Sequence, residues 1–431
     1  MQGSMFPFGS TLPSEAFVRL PDRSFHFQPV PGRLSWSRNY AAKGIKFICA
    51  LMKSSCNGEN LCFPTVRTSS SSSSSSLLFN HVGSSLLFQV RGNVYPTGYY
   101  NVTMYIGQPA RPYFLDLDTG SDLTWLQCDA PCVRCVEAPH PLYRPSNNLV
   151  PFEDPICASL HAPGHHNCED PTQCDYELEY ADGGSSLGVL VKDAFAFNYT
   201  NGQRLNPRLA LGCGYNQVPG TSYHPLDGIL GLGKGKSSIV SQLHSQKLIR
   251  NVVGHCLSGG GGGFLFFGDD LYDSSRVVWT SMSSDYTGSS YTYLNRVTYQ
   301  TLTSIMKKEL SAKSLKEAPE DETLPLCWKG RRPFKNVHDV KKCFRTLALS
   351  FTDGKTRTLF ELTPEAYLII SNKGNVCLGI LNGAEVGLQD LNVIGAISMQ
   401  DRLVIFDNEK QMIGWMPTNC DQIPKSKAMN T

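Results

Sequence analysis

The chain has 431 residues, of which 41% are hydrophobic and 18% charged, and its formal net charge at pH 7 is +2. That length is enough for two hydrophobic cores, whereas interspersed charges of both signs exclude the electrostatic field expected of a nucleic-acid or anionic-membrane binder. No stretch approaches the roughly 18 uncharged apolar residues of a membrane span. We therefore expect two folded units with neither nucleic acid nor a membrane as partner.

Residues 1–93 have the composition of a leader. Pro and Arg are scattered through the first 40 residues without the continuous apolar core of a secretory signal, and segment 43–52 offers only a weak, displaced one. The serine run at 69–76 cannot bury a core. We predict a disordered leader or pro-like region over residues 1–93.

From residue 94 onward the pattern is typical of β-structure. Short apolar runs alternate with Gly, Pro, Asn and Asp turns, as at 101–106, 114–118, 176–180 and 189–197. Helical spacing is brief, and it occurs near 239–243, 302–310 and 337–344. The pattern predicts an all-β body with a few short helices.

One motif occurs twice, intact at first and altered later. Residues 118–126 read Asp-Thr-Gly-Ser-Asp-Leu-Thr-Trp-Leu, and residues 286–294 read Tyr-Thr-Gly-Ser-Ser-Tyr-Thr-Tyr-Leu. The first position differs, because Asp118 corresponds to Tyr286. A single Asp-Thr-Gly tripeptide is weak evidence, since it arises by chance in about a tenth of chains this long and is compatible with a simple turn.

Further segments accompany the repeat. Tyr180 begins a Tyr-Ala-Asp-Gly-Gly-Ser segment, and apolar-apolar-Gly segments stand at 227–233 and 392–395. Together these features resemble the pepsin-like aspartic peptidases, and the sequence from Tyr99 to Cys128 is most similar to their nucellin-like plant branch. The resemblance runs from about Val94 to Cys420.

The resemblance implies a bilobal fold in which each lobe supplies one catalytic carboxylate. It divides the chain into a first lobe at 94–275, a second lobe at 276–424 and a tail at 425–431. It also implies a monomer that acts on protein or peptide substrates without a cofactor. Tyr180 would lie on the flap hairpin that closes over the substrate.

The resemblance assigns Asp118 as the first catalytic residue. Two carboxylates that share one proton act as base to water and acid to the peptide carbonyl, because neighbouring like charges do not ionise together easily. Supporting positions are the glycine that allows the tight loop and the hydroxyls that hold the carboxylate. In the two loops these positions are Thr119, Gly120 and Ser121, and Thr287, Gly288 and Ser289.

The second catalytic position is not satisfied. Tyr286 would stay protonated at neutral or acid pH and could not take up a proton from water. Asp285 lies one residue early, and a one-residue shift in an extended segment sends the side chain to the opposite face. Asp285 would serve as the second catalytic residue only if a local bulge returned it to the cleft.

The sequence before the second motif is short for this family. Segment 277–284 runs directly into Asp285 without the second apolar strand that precedes the first loop, whereas family members carry a longer segment ending in Asp-Ser-Gly. We interpret the region 284–288 as the junction left by a missing segment, which was lost through alternative splicing or through an error in the inferred coding sequence. The second lobe would be incomplete, and the chain would be a weak or inactive aspartic endopeptidase.

Two other functions stay open. The chain could be a non-catalytic binding protein on the same fold, similar to plant xylanase inhibitors. It could also form a homodimer that pairs two copies of Asp118, as viral aspartic peptidases pair single lobes.

Fifteen cysteines favour an oxidising compartment. Twelve of them lie between Cys128 and Cys420, enough for six bridges, and sequons for N-glycans begin at Asn101 and Asn198. These features favour the secretory route, extracellular or vacuolar. The lack of a clear signal peptide in the sequence points the other way.

A cysteine cluster near the first loop has two interpretations. Cys128, Cys132 and Cys135 lie upstream of a group of histidines, which suggests a zinc site. The spacing lacks a matching second pair, however, and the resemblance implies a disulfide-rich insertion with no metal.

Overall fold

The computed structural model describes residues 18–19, 33–34, 85–160, 173–220, 224–282, 288–353, 356–388 and 391–424. Over these ranges the chain forms 26 strands, three α-helices and six 3₁₀ turns. The prediction of an all-β fold with a few short helices is confirmed. Among the described residues no helix is long and apolar enough to span a bilayer.

The strands up to residue 231 carry the first loop and the flap. They are β1 (Val18–Arg19), β2 (Arg33–Leu34), β3 (Leu86–Asn93), β4 (Tyr99–Ile106), β5 (Arg111–Asp118), β6 (Trp125–Gln127), β7 (Asp175–Glu179), β8 (Ser185–Ala194), β9 (Phe197–Asn198), β10 (Arg204–Leu205), β11 (Arg208–Val218) and β12 (Gly228–Gly231).

The remaining elements include all three helices. They are α1 (Ile239–Ser245), β13 (Val252–Leu257), β14 (Gly263–Phe267), β15 (Val278–Ser281), β16 (Thr292–Leu294), α2 (Arg296–Ser311), β17 (Lys316–Glu317), β18 (Cys327–Lys329), β19 (Thr346–Asp353), β20 (Thr356–Leu362), β21 (Leu368–Ile370), β22 (Val376–Leu378), β23 (Ile380–Asn382), β24 (Val393–Ile394), α3 (Ala396–Met399), β25 (Arg402–Asp407) and β26 (Met412–Pro417). The 3₁₀ turns are Cys157–Ser159, Ser274–Arg276, Val337–Asp339, Lys341–Cys343, Pro364–Ala366 and Gly383–Val386.

A thirteen-stranded sheet joins elements from both halves of the chain, in the order β15-β26-β25-β13-β14-β3-β4-β5-β12-β6-β11-β8-β7. Its strands alternate side chains between two faces, so that Val102, Met104 and Ile106 of β4 all point into the main hydrophobic core. Smaller sheets follow the orders β1-β24-β16-β23, β17-β18-β22-β21, β2-β19-β20 and β10-β9.

The folded body begins earlier than the sequence suggested. Residues 86–93 form β3, which pairs with β4 and β14 inside the large sheet, so the expectation of disorder up to residue 93 is wrong for this segment. Leu86 and Val90 are buried there, and the preceding serine-rich stretch hid this short apolar pattern. The serine run itself lies outside the described residues.

The strands β12 and β24 hold corresponding places in the two halves of the chain, and each has a strand on both sides. In the first half, β12 lies between β5, to which it is parallel, and β6, to which it is antiparallel. In the second half, β24 is antiparallel to β16, and its other edge pairs antiparallel with β1, Val18 opposite Ile394. Among the described residues, the place beside β24 that corresponds to that of β5 beside β12 is taken by β1, from the N-terminal part of the chain.

Candidate active site

Asp118 ends β5 and is fixed by the parallel strand β12 beside it. Gly231 of β12 stands opposite Asp118, and the next residue, Leu232, donates its backbone N–H to the Asp118 carbonyl at 2.7 Å. A Cβ at Gly231 would lie 2.4 Å from the backbone of Asp122, so this close approach requires glycine. The apolar-apolar-Gly segment at 227–233 therefore holds the loop that carries Asp118.

The Asp118 carboxylate is buried and held on both oxygens. The Gly120 N–H donates to Oδ1 at 2.8 Å and the Ser121 hydroxyl donates to Oδ2 at 2.5 Å. The residue is 6% exposed, and burial raises its pKa to about 6, opposed by these two hydrogen bonds and assisted by the nearby carboxylates of Asp116 and Asp122. Asp118 thus keeps a titratable proton in the mildly acid range.

Tyr180 lies at the tip of the β7–β8 hairpin. Its N–H donates to the Gly184 carbonyl at 2.8 Å, and Gly183 adopts a φ of 83°, which favours glycine. The Tyr180 hydroxyl accepts a hydrogen bond from the Trp125 indole N–H at 2.6 Å. Burial and the charge of Asp118 raise the Tyr180 pKa well above its usual value, and Tyr180 and Asp118 line the same cleft.

Removing the Tyr180 hydroxyl is expected to lower the free energy of unfolding by about 1 kcal/mol. The reason is that the indole N–H of Trp125, a residue only 9% exposed, loses its acceptor. Chemical denaturation of Tyr180→Phe measures the loss. A double-mutant cycle with Trp125→Phe should show a coupling of similar size, and fully additive losses would contradict a stabilising bond.

Asp116 and His224 also line the site, and they were not identified from the sequence. Asp116 lies two residues before Asp118, on the same side of β5, and its Oδ2 is 3.0 Å from Nδ1 of His224. The His224 ring packs against that of Tyr99 at 4.3 Å between centroids. The Asp-Leu-Asp spacing at 116–118 was the available signal, whereas its partner is 108 residues away in the chain.

These side chains border a cleft that is open to solvent and lies between the end of β5 and the flap. Its polar lining includes Asp116, Asp118, Gln127, Tyr180, Gln217 and His224. The arrangement provides a buried acid, a covering hairpin and space for an extended ligand.

The second loop matches the first from Thr292 onward. The Gly395 N–H donates to Oγ1 of Thr292 at 3.0 Å, as the Gly231 N–H donates to Oγ1 of Thr124 at 3.1 Å. The sequence correspondence of these threonines and of the two apolar-apolar-Gly segments thus has a structural basis. Counting back six residues from each threonine gives Asp118 in one loop and Tyr286 in the other.

Before Thr292 the two loops are anchored differently. In the first, Leu232 donates to the carbonyl of Asp118, whereas its counterpart Ala396 donates to the carbonyl of Ser289 at 2.6 Å. Gly288 and Ser289 are buried, and the Ser289 hydroxyl accepts from the Tyr291 N–H. Asp285, Tyr286 and Thr287 lie outside the described residues, so their roles stay predictions.

The cysteines near the first loop form disulfides. Cys132 pairs with Cys135 and Cys128 with Cys213, which uses the sulfurs that suggested zinc. The other described bridges are Cys157–Cys174, Cys256–Cys420 and Cys327–Cys377. Cys343 is free, while Cys168 and the neighbouring histidines at 161, 165 and 166 lie outside the described residues.

The two sequons differ in accessibility. Asn101 lies on β4 and is 9% exposed, which leaves no room for a glycan in the folded chain. Asn198 of β9 is exposed. Of the two sites considered from the sequence, Asn198 alone fits a glycan on the folded protein.

Comparison with known proteins adds relatives in sequence and in fold. The family described as "Xylanase inhibitor N-terminal" matches residues 100–269, and "Xylanase inhibitor C-terminal" matches residues 285–417. An aspartic proteinase of Oryza sativa subsp. indica is 43% identical over 391 residues, covering 81% of this chain and 94% of its own length. The aspartic proteinase nepenthesin-1 of Nepenthes gracilis is 23% identical, with 75% and 78% covered.

Solved structures share the fold at low identity. The structure described as edgp has a TM-score of 0.61 at 17% identity and covers 79% of this chain and 96% of its own. Basic 7S globulin from soybean has a TM-score of 0.58 at 16% identity, with 79% and 98% covered. These similarities support a bilobal all-β fold and carry no information on activity.

Proposed function

The chain belongs to the plant branch of the pepsin-like aspartic peptidases, and from this premise we propose that its cleft binds an extended peptide beneath Tyr180 for endoproteolysis. Asp118 is the carboxylate that would activate water. In this chain hydrolysis is weak or absent, because Tyr286 stands in the register of the second aspartate. We assign the first lobe to residues 94–275 together with β3, and the second lobe to residues 276–424.

The burial, hydrogen bonds and raised pKa of Asp118 are the main support for this proposal. A carboxyl that is buried, held on both oxygens and raised in pKa to about 6 costs folding energy, and such groups cluster at sites of acid–base chemistry. It also faces a cleft covered by a hairpin.

Weak activity follows from the second loop. The shared threonine hydrogen bonds align Tyr286 with Asp118, and a phenol of ordinary pKa does not accept a proton from water in the acid range. The shifted anchor at Ser289 further supports a loop that is not built like the first.

The alignment with the rice relative supports a lost segment. It extends over 391 positions, whereas 81% of this chain's 431 residues is about 349 residues. About 40 aligned positions therefore have no counterpart in this chain. Loss of the strand that leads into the second loop would account for part of that difference.

The test is cleavage of a quenched fluorescent peptide by the purified full chain across the acid range, with and without pepstatin. We expect a rate about 10²–10⁴-fold below that of the rice relative measured in parallel, because one half of the acid–base pair is missing. Robust, pepstatin-sensitive cleavage that is linear in chain concentration would overturn the weak-activity proposal. A rate that grows with the square of concentration would instead indicate a dimer pairing two copies of Asp118.

Binding is measured separately from cleavage. Fluorescence anisotropy with labelled peptides should show saturable binding to the chain even where cleavage is at background. Absence of peptide binding together with tight binding to a glycosidase would favour the non-catalytic binding protein.

The disulfides indicate the cellular compartment of the protein. Five bridges fit an oxidising environment, and the relatives are plant aspartic proteinases. We accordingly place the protein on the secretory route, extracellular or vacuolar.

A further inference from the structure

The ionisable side chains that line the cleft are mostly acidic. Three carboxylates line it, those of Asp116, Asp118 and Asp182, and His224 is its one basic side chain. Among the described residues bordering this cavity there is neither Lys nor Arg. Even with the imidazole protonated and Asp118 neutral, the carboxylates of Asp116 and Asp182 leave the wall with net negative charge.

Asp116 is the carboxylate placed to meet a ligand in this wall. Its side chain is 19% exposed, and one oxygen is occupied by Nδ1 of His224 at 3.0 Å. A carboxylate has about four acceptor sites, so Asp116 can accept from a second donor without losing His224. Burial and the charge of Asp116 raise the pKa of Tyr99, whose ring packs against that of His224.

Gln217 of β11 provides an independent indication of a ligand. It borders the same cleft and is 5% exposed, yet neither its side-chain oxygen nor its side-chain nitrogen has a hydrogen-bond partner. A buried amide without partners is costly. Both atoms are buried in the free chain, so the side chain would turn toward the cleft to pair with the backbone donors and acceptors of a bound peptide.

We propose that the part of the cleft formed by Asp116, His224 and Gln217 selects peptides that place a cationic side chain, lysine or arginine, against Asp116, while Gln217 hydrogen-bonds the peptide backbone. This inference rests on the proposed function of the cleft as a peptide site. It adds a substrate class that the resemblance and the relatives do not specify.

The selectivity depends on the ionisation of the wall. The titratable groups facing Asp116 are Asp118, His224 and Tyr99, with Asp182 and Tyr180 on the flap side. Burial raises the pKa of both Asp116 and Asp118, so lowering the pH neutralises carboxylates and weakens attraction for a cation. The preference should therefore be larger at about pH 8 than at acid pH, where Asp116 takes up a proton.

The experiment compares fluorescent octapeptides that carry arginine or citrulline at one position, moved along the peptide in turn. Citrulline has nearly the shape of arginine without its charge. At the position whose side chain meets Asp116, the wild-type chain should bind the arginine peptide about tenfold more tightly at pH 8, about 1.4 kcal/mol in binding free energy. Anisotropy titrations give both dissociation constants.

Variants separate the contributions. Asp116→Asn keeps the size and a hydrogen bond to His224, and it should bring the arginine-to-citrulline ratio to about one. Gln217→Leu should weaken both peptides about equally and leave the ratio unchanged. Asp129→Asn, which alters an exposed ion pair with Arg144, is the matched control and should change neither.

The outcomes are distinguishable. Equal binding of arginine and citrulline peptides at every position, or a ratio that survives Asp116→Asn, overturns this inference and leaves the peptide cleft standing. Failure of every peptide to bind the wild-type chain overturns the cleft and the inference together. The wild-type peptide comparison needs no variant, so it holds even if a substitution impairs folding.

Discussion

Restoring the missing segment is expected to raise peptide cleavage by about 10²–10⁴-fold. The repaired chain would replace residues 283–286 with the corresponding longer segment of the rice relative, ending in the aspartate that family members carry there, so that this aspartate precedes Thr287 and Gly288. Its carboxylate would face Asp118, and the pair would share one proton, so that one group activates water while the other protonates the peptide carbonyl. Initial rates of acid cleavage by the repaired and unrepaired chains measure the effect.

Two matched variants determine what the segment contributes. Tyr286→Asp in the unrepaired chain supplies a carboxylate without the strand before it, and we expect it to recover less than the full repair. The reason is that Ala396 donates to the carbonyl of Ser289, whereas its counterpart Leu232 donates to that of Asp118. Asp118→Asn in the repaired chain should return the rate to background. A folded, repaired chain that cleaves no faster would contradict the proposed ancestry of the defect and favour a binding protein.

Replacing Asp118 with asparagine is expected to stabilise the chain by about 3 kcal/mol at pH 8. The carboxyl has a pKa of about 6 in the folded chain against 3.8 in the unfolded one, and each unit of difference corresponds to about 1.4 kcal/mol. Between these pH values the folded chain binds more protons than the unfolded chain, so the free energy of unfolding falls as the pH rises. Asparagine removes this cost because it carries no charge.

The pH dependence identifies the cause of this stabilisation. The gain from Asp118→Asn should be full above about pH 7. It should shrink below about 1 kcal/mol near pH 4, where the wild-type carboxyl is protonated in the folded chain and only partly ionised in the unfolded one. Chemical denaturation at both pH values measures it, with Asp129→Asn as the exposed control. A stabilisation that is the same at both pH values would show that ionisation of Asp118 is not the source.

Features that are local in the chain could be predicted from the sequence. The alternation of apolar and turn residues predicted the strands around Asp118. The resemblance assigned the segment at 227–233, and in the structure its glycines at 228 and 231 pack too closely for any side chain. The threonine repeat also predicted a real correspondence, because Thr124 and Thr292 accept equivalent hydrogen bonds. These properties depend on short spacing and on backbone geometry, which a sequence displays directly.

Features that depend on distant pairing could not be predicted. The contact between Asp116 and His224 bridges 108 residues, and the bond between Trp125 and Tyr180 bridges 55. The burial of Asn101 follows from its place in a strand paired on both sides, which a sequon does not reveal. In each case the fold brings together side chains whose sequence neighbourhoods give no sign of one another.

The pairing of β1 with β24 changes what maturation would mean for this protein. In a peptidase made as a zymogen, trimming the leader uncovers the working enzyme. Here the removed segment would include β1, which pairs with β24. Its removal would leave the backbone N–H and C=O groups on that edge of β24 unpaired, and unpaired strand edges favour association with other chains.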